Sequence, residues 1–224
     1  MPLERSALWT LQECFTISIG MESIATVAAA RGRPREFDAD DALAAALRVF
    51  WMRGYEGASL TELTEAMGIT RPSLYACFGN KEALFRKALD LYEKEKLAYM
   101  APALDAPTAR GVAERLLRGA LEVQMSTSDP KGCLGVISSV TCGVEAESIK
   151  AEVIARRASS DAALVRRFER AKEEGDLPEG VEPQALARYL MAVIQGLCVQ
   201  ASSGVSCRDL STLVDTTLTV WPGR

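Results

Sequence analysis

Between its turn-forming stretches this chain repeats apolar residues at intervals of three and four, not two, so each segment can bury one stripe of a helix and none alternates as a strand would. The stretches "RGRPREFD" at 31–38, "MAPALDAPTAR" at 100–110 and "GDLPEGVEP" at 175–183 interrupt the pattern. The expected fold is all-α, with about nine helices. Asp38 is placed to cap a first helix that carries Leu43, Leu47 and Phe50 on one face and ends at Gly54. Ser59 opens the next, "SLTELTEAMG", in which Glu62 completes a capping box, Leu60, Leu63 and Met67 form the stripe and Gly68 is the stop. Thr70 caps a third, only about two turns long, with Pro72 at its first or second position, where a missing N–H costs nothing. Asn80 caps a fourth that runs to about Met100. Beyond Pro102 come "ARGVAERLLRGALEVQM", the short apolar "GCLGVISSVTCG", a charged helix over about 147–174, and two apolar segments opening at Gln184 and Asp209.

Composition removes several functions. With 224 residues, 48% hydrophobic and 25% charged, the chain can bury a sizeable core. It has no histidine, which excludes Ser-His-Asp hydrolysis, Cys-His nucleophiles, HExxH zinc sites and imidazole proton transfer within one chain. There is no phosphate loop and no paired metal-ligand spacing, so no catalytic residue, cofactor or metal is expected. Cys14, Cys77, Cys133, Cys142, Cys198 and Cys207 form no CxxC and no tight cluster, which suits reduced thiols in a cytoplasm. No run approaches the roughly 18 apolar residues of a membrane span. Residues 1–30, whose apolar stretch is broken by Glu13 and Glu22, read as an N-terminal extension without a fixed fold, not as a secretory signal. The net charge of −4 gives no global attraction to nucleic acid, so any anionic partner must be met by local charge.

Local charge and shape converge on residues 31–81. Two short helices joined through Gly68 have the geometry of a DNA-reading helix-turn-helix. Leu60, Leu63, Met67, Ile69, Leu74 and Phe78 face inward, leaving Arg71, Ser73, Tyr75 and Ala76 on the other side, where small side chains allow close approach to a groove wall. Arg71 suits a guanine edge or a phosphate, Ser73 a phosphate or a base, and Tyr75 a phosphate through its hydroxyl. The N–H groups of helices starting near Thr61, Arg71 and Lys81 suit phosphate oxygens, with Thr61, Thr70 and Lys81 adding side-chain donors. Upstream, Arg31, Arg33 and Arg35 form a basic arm with Gly32 and Pro34 that can lie along phosphates or enter a minor groove. Residues 31–81 hold seven basic residues (Arg31, Arg33, Arg35, Arg48, Arg53, Arg71, Lys81) and seven acids (Glu36, Asp38, Asp40, Asp41, Glu56, Glu62, Glu65). DNA affinity therefore needs the basic set segregated onto one side and two copies acting together.

The segment "ALRVFWMRGYEGASLTELTEAMGITRPSLYACFGNKEALF", residues 46–85, closely resembles the DNA-binding domain of TetR-family transcriptional regulators. The shared elements are Phe50, Gly54 and Tyr55, the Ser59-Leu60 opening, the Ala66-Gly68-Ile69 turn, and Leu74-Tyr75 with Phe78, Lys81 and Leu84-Phe85. The resemblance covers roughly residues 35–95. It implies a sequence-specific DNA-binding regulator, most often a repressor, whose partner is a double-stranded, pseudo-palindromic operator. It also implies a helical core that binds a small-molecule inducer and a homodimer formed through the last two helices. By the same pattern Tyr75 and Lys81 contact phosphate, while Arg71, Pro72, Ser73 and Ala76 lie toward the bases; Pro72 departs from the polar residue many members carry there. The expected organisation is a reading head over 31–81, a connecting helix over 82–100, and a ligand-binding and dimerisation region over 101–224.

Residues 184–220 are too apolar to face water as a pair of helices. A two-fold four-helix interface would bury them and space two recognition helices about one DNA turn, ~34 Å, apart. Arg188, Tyr189, Leu190, Val193, Ile194, Leu197, Leu213 and Thr217 are the contact candidates. Met125, Cys133, Leu134, Ile137, Val140, Phe168 and Leu197 are candidates to line an inducer pocket between helices. Cys133 follows Lys131-Gly132 at the start of an apolar helix, where a nearby ammonium and a helix N-terminus favour thiolate. Some TetR-type regulators with a similar "GCL" segment respond to electrophiles or oxidants, so a thiol switch at Cys133 is the alternative to a non-covalent inducer. Readings of another class are an enzyme in residues 101–224, opposed by the missing histidine, or a helical interaction module with an accessory DNA-binding head.

Overall fold

The computed structural model of the chain describes residues 37–141 and 146–223. The arm residues Arg31, Arg33 and Arg35, the 1–30 extension and the side chain of Val140 lie outside the described residues. Among the described residues ten helices follow in order: α1 (Ala39–Gly57), α2 (Leu60–Met67), α3 (Arg71–Phe78), α4 (Lys81–Lys96), α5 (Met100–Ala103), α6 (Ala109–Met125), α7 (Leu134–Thr141), α8 (Glu147–Glu173), α9 (Pro183–Ser202) and α10 (Cys207–Thr219). No strand occurs among the described residues.

The caps act where the sequence places them. Asp38 Oδ1 accepts from the N–H of Asp40 at 2.8 Å, and Asn80 Oδ1 accepts from Ala83 at 2.7 Å. Ser59 and Glu62 exchange both bonds of a capping box at 3.1 Å each. Gly68 closes α2 in the left-handed conformation, φ 64 and ψ 29, and its Cβ-free backbone lets the chain turn sharply into α3. Pro72 stands in the first turn of α3.

Two boundaries differ from expectation. Gly54, at φ 70 and ψ 178, kinks α1 without ending it, and the helix resumes to Gly57. The fourth helix stops at Lys96 instead of Met100, and the short α5 makes the count ten. Tertiary packing accounts for the break: the Tyr99 ring lies directly on Gly119 of α6, where an added Cβ would fall 2.2 Å from the ring. A helix continued through Tyr99 would carry that ring around α4 with the helical repeat, away from this seat.

The buried residues form two cores. One unites α1 to α4 with the beginnings of α7 and α8, through Phe50, Trp51, Leu63, Leu74, Phe85, Tyr92, Leu134 and Ile149. Its aromatic rings meet edge-on: Phe50 with Phe85 at 5.1 Å and Trp51 with Tyr92 at 4.7 Å between centroids. The other joins α5, α6, the second half of α8, α9 and α10 through Leu116, Leu117, Phe168, Leu190, Leu197 and Val214. Contrary to the sequence expectation, α9 is long and apolar enough to cross a bilayer; instead it seats Leu186, Leu190 and Leu197 in this second core.

Candidate functional site

The hydrophobic face of α3 fixes what its other face can present. Leu74 and Phe78 are buried in the first core, which turns Arg71, Pro72, Tyr75 and Ala76 outward; Tyr75 is 49% exposed. The Arg71 guanidinium donates from Nη2 to Thr61 Oγ1 at 2.8 Å, so the base of α2 holds the side chain at the start of the reading helix. Thr70 Oγ1 accepts from the Ser73 N–H at 3.3 Å and lies 2.9 Å from Ser73 Oγ. Thr61, Thr70, Arg71 and Ser73 are thereby gathered at one point, where α3 presents its N-terminal N–H groups. Tyr75 and Ala76 lie a turn further along. Lys81 opens α4 with its ammonium 4.7 Å from the Tyr55 ring centroid and 3.5 Å from the Glu56 carbonyl oxygen. Of the seven acids, Glu62 is tied into the capping box, where the backbone N–H and the hydroxyl of Ser59 hold its carboxyl below the ordinary value, and Arg53 lies 3.7 Å away.

Behind this head is a cavity of about 550 Å³, walled by α4, α6, α7, α8 and α9 and by the chain around α5. Leu89, Leu116, Val123, Val153, Leu164, Met191 and Ile194 make most of its surface apolar. Its polar groups include Tyr92, Glu93, Gln124, Arg156, Arg157, Ser159, Ser160, Gln195 and the thiols Cys133 and Cys198. Arg156 spans from α8 to α4, bonding Asp90 at 2.6 Å, Glu93 at 3.0 Å and Glu152 at 2.7 Å. Partial burial works against its charge, but the three carboxylates outweigh it and raise its pKa. Burial likewise pushes the Glu152 carboxyl up, and Arg156 with Arg86 more than reverses this, leaving it below the ordinary value.

Of the residues expected to line a pocket, Cys133 alone borders this cavity among those whose side chains are described. Leu134, Phe168 and Leu197 are fully buried in the cores, Ile137 packs against the first core, and Met125, at 55% exposure, points to solvent because it ends the helical stripe of α6. Of the residues expected at a partner interface, Arg188 and Tyr189 are exposed and Val193 and Leu213 half-buried. Ile194, Leu197, Thr217 and Leu190 are buried within the chain itself, since the inner stripe of α9 and α10 covers α6 and α8. The sequence reading missed Tyr92, Gln124 and Arg156 of the cavity; each sits on a helix whose local pattern carries no sign of what the neighbouring helices bring beside it.

This arrangement, an eight-residue helix seated by a capped partner with its polar N-terminal residues turned to solvent, defines a helix-turn-helix DNA-binding protein. Residues 42–88 match the family model described as "Bacterial regulatory proteins, tetR family". The transcriptional repressor ComR of Escherichia coli K12 is 32% identical over 203 residues, covering 90% of this chain and 97% of ComR. A solved structure of the regulator CifR, a cysteine mutant complexed with 26-base-pair operator DNA, is 43% identical with a TM-score of 0.79, covering 85% of this chain and 100% of that one. A TetR regulator structure from Rhodococcus sp. RHA1 is 39% identical with a TM-score of 0.58, covering 82% and 98%. The chain belongs to the TetR family and is a DNA-binding transcriptional repressor.

Proposed function

We propose that two copies of this chain bind a pseudo-palindromic operator in the bacterial cytoplasm, that a small, largely apolar inducer releases them, and that the chain performs no catalysis. The base-reading set is Arg71, Pro72, Ser73 and Ala76, with Thr61, Thr70, Tyr75, Lys81 and the arm residues Arg31, Arg33 and Arg35 on phosphates or a neighbouring groove. The observation that carries inducer control is that the cavity is walled by α4, the helix whose first residues continue from the reading head. A molecule that fits the cavity better when α4 is tilted shifts the dimer toward a head spacing that no longer matches ~34 Å on DNA. Support for the dimer comes from the outward side of α9 and α10, where Tyr189, Val199 and Val220 are large apolar groups at 44%, 50% and 66% exposure.

The test pairs two measurements on one compound library: thermal shift of the free protein and anisotropy of protein bound to operator. Compounds that raise the melting temperature, and cease to do so in Ala120→Trp, which fills the cavity wall, are expected to release DNA. Cavity-dependent binders that leave operator affinity untouched would contradict the proposal.

A further inference from the structure

The cavity wall brings together three groups from distant parts of the chain: Cys133 just before α7, Cys198 in α9 and Tyr92 in α4. Backbone packing makes the approach close. A Cβ added to Gly132 would lie 3.7 Å from the Cys198 carbonyl oxygen and 3.2 Å from Ser202 Cβ, so the strand of chain entering α7 rests on α9 itself. Gln124 of α6, 2% exposed, locks that contact. Its Oε1 accepts from the Gly132 N–H at 2.7 Å, and its Nε2 donates to the Gly132 carbonyl at 3.2 Å and lies 3.8 Å from Cys198 Sγ.

Cys133, which follows Gly132 directly, and Cys198 line the same cavity, and a thiol–thiol hydrogen bond between them accounts for the opposite directions in which their pKa values move. That bond is the largest influence holding Cys133 below the usual thiol value; burial opposes it, and the Tyr92 hydroxyl and the N–H groups of Val136 and Gly135 assist. The same bond, with burial, raises Cys198. One sulfur is thus set up as thiolate and its neighbour as thiol, and the thiolate is the half-buried member that faces the open space.

We infer that Cys133 and Cys198 form a dithiol which an organic hydroperoxide entering the cavity converts to an intramolecular disulfide, and that this bond lowers operator affinity. The Cys133 thiolate attacks the terminal oxygen of the hydroperoxide; the O–O bond breaks, the alkoxide takes a proton from water and leaves as the alcohol, and Cys133 becomes a sulfenic acid. The Cys198 sulfur then attacks that sulfur; the S–S bond forms, the S–O bond breaks, and hydroxide leaves with the Cys198 proton as water. Two thiols lose two electrons, and the peroxide gains them. The cavity suits an organic peroxide because Leu116, Val123, Leu164 and Ile194 surround the approach. The Gly132 carbonyl transmits the change, since it also accepts from Trp51 Nε1 of α1 at 3.2 Å. Drawing Cys133 toward α9 pulls on the residue that anchors the reading head.

Disulfide formation rests on the placement of the two thiols at one cavity wall, whereas loss of operator affinity rests on the repressor reading, and two readouts separate them. Reduced full-length protein is treated with cumene hydroperoxide, then mapped by non-reducing peptide mass spectrometry and titrated against operator. The expected result is one cross-linked pair containing residues 133 and 198, with the operator Kd rising roughly tenfold and returning on reduction. Cys198→Ala, checked for folding by circular dichroism, is expected to leave a Cys133 sulfenic acid that dimedone traps; Cys133→Ser is expected to leave Cys198 unoxidised. Both thiols remaining free to alkylate after treatment, or Cys133 pairing with another cysteine, overturns the dithiol. A complete Cys133–Cys198 disulfide that binds operator as tightly as the reduced protein overturns the switch.

Discussion

In the reading head and the connecting helix that leaves it, all four helices α1 to α4 begin with a side-chain cap, supplied by Asp38, Ser59, Thr70 and Asn80. In the second half α5, α8 and α9 begin with none. The cores differ in the same sense. The first core packs Phe50, Trp51, Phe85 and Tyr92 in edge-on contact and meets the cavity of about 550 Å³ at its Leu89, Tyr92 and Val153 edge, while the second, built largely of Leu and Ala, meets it through Leu116, Ala120, Leu164 and Ile194. A head that must match DNA to within a fraction of an ångström is specified residue by residue; a bundle that must adapt to a guest is specified by its packing and left incompletely filled.

Truncations test that contrast most strongly. Leu74→Ala, at a position with no exposure, is expected to cost about 2–5 kcal/mol in urea unfolding and to abolish operator binding. Leu164→Ala on the cavity wall is expected near the low end, about 2 kcal/mol, because part of its surface already faces open space. Equal losses would erase the difference in packing.

Next in size is the phosphate anchor. Lys81→Met is expected to weaken all duplexes alike and to reduce the slope of log affinity against log salt by about 1. A loss confined to one operator sequence would move Lys81 from phosphate to base contact.

The caps give a smaller, direct comparison. Asn80→Ala is expected to cost about 1 kcal/mol. Glu182→Ala, at the uncapped start of α9, breaks only an exposed pair with Lys172 and is expected to stay within about 0.5 kcal/mol. Denaturant midpoints decide between them.

The smallest effect concerns acid. Lys96, 2.7 Å from Asp129, is the main cause holding that carboxyl below its ordinary value, with Ser126 assisting and burial opposing. A depressed folded pKa means the contribution is present above the unfolded value, about 3.9, and fades as pH falls through the folded one. Stability measured from pH 6 to pH 2 is therefore expected to decline less steeply in Asp129→Asn than in the parent chain.

The same contrast explains what could be read from the residues. Ser59 with Glu62, Gly68 and the Leu74-Phe78 pair are local signals, and they gave the helix-turn-helix, its boundaries and its outward face. The break after Lys96 was not legible, because it depends on what a ring meets across the fold: Tyr99 needs Gly119, twenty residues away in sequence, and nothing local distinguishes Gly54 as a kink from Gly54 as a stop. The cavity was least legible. Apolar periodicity marks Phe168 and Leu197 as inward-facing but does not distinguish a filled interior from an open one, and Gln124, Arg156 and Cys198 become neighbours only when α6, α8 and α9 assemble.

Operator recognition depends above all on α3 as the element that reads bases. Duplexes selected from a random library by the parent protein and by Arg71→Ala measure this directly. The parent is expected to return a two-fold symmetric site, and the variant the same site with preference lost at one symmetric pair of positions, a discrimination of about 1–3 kcal/mol. An unchanged preference at every position in the variant would contradict the assignment of Arg71 and of the helix that carries it.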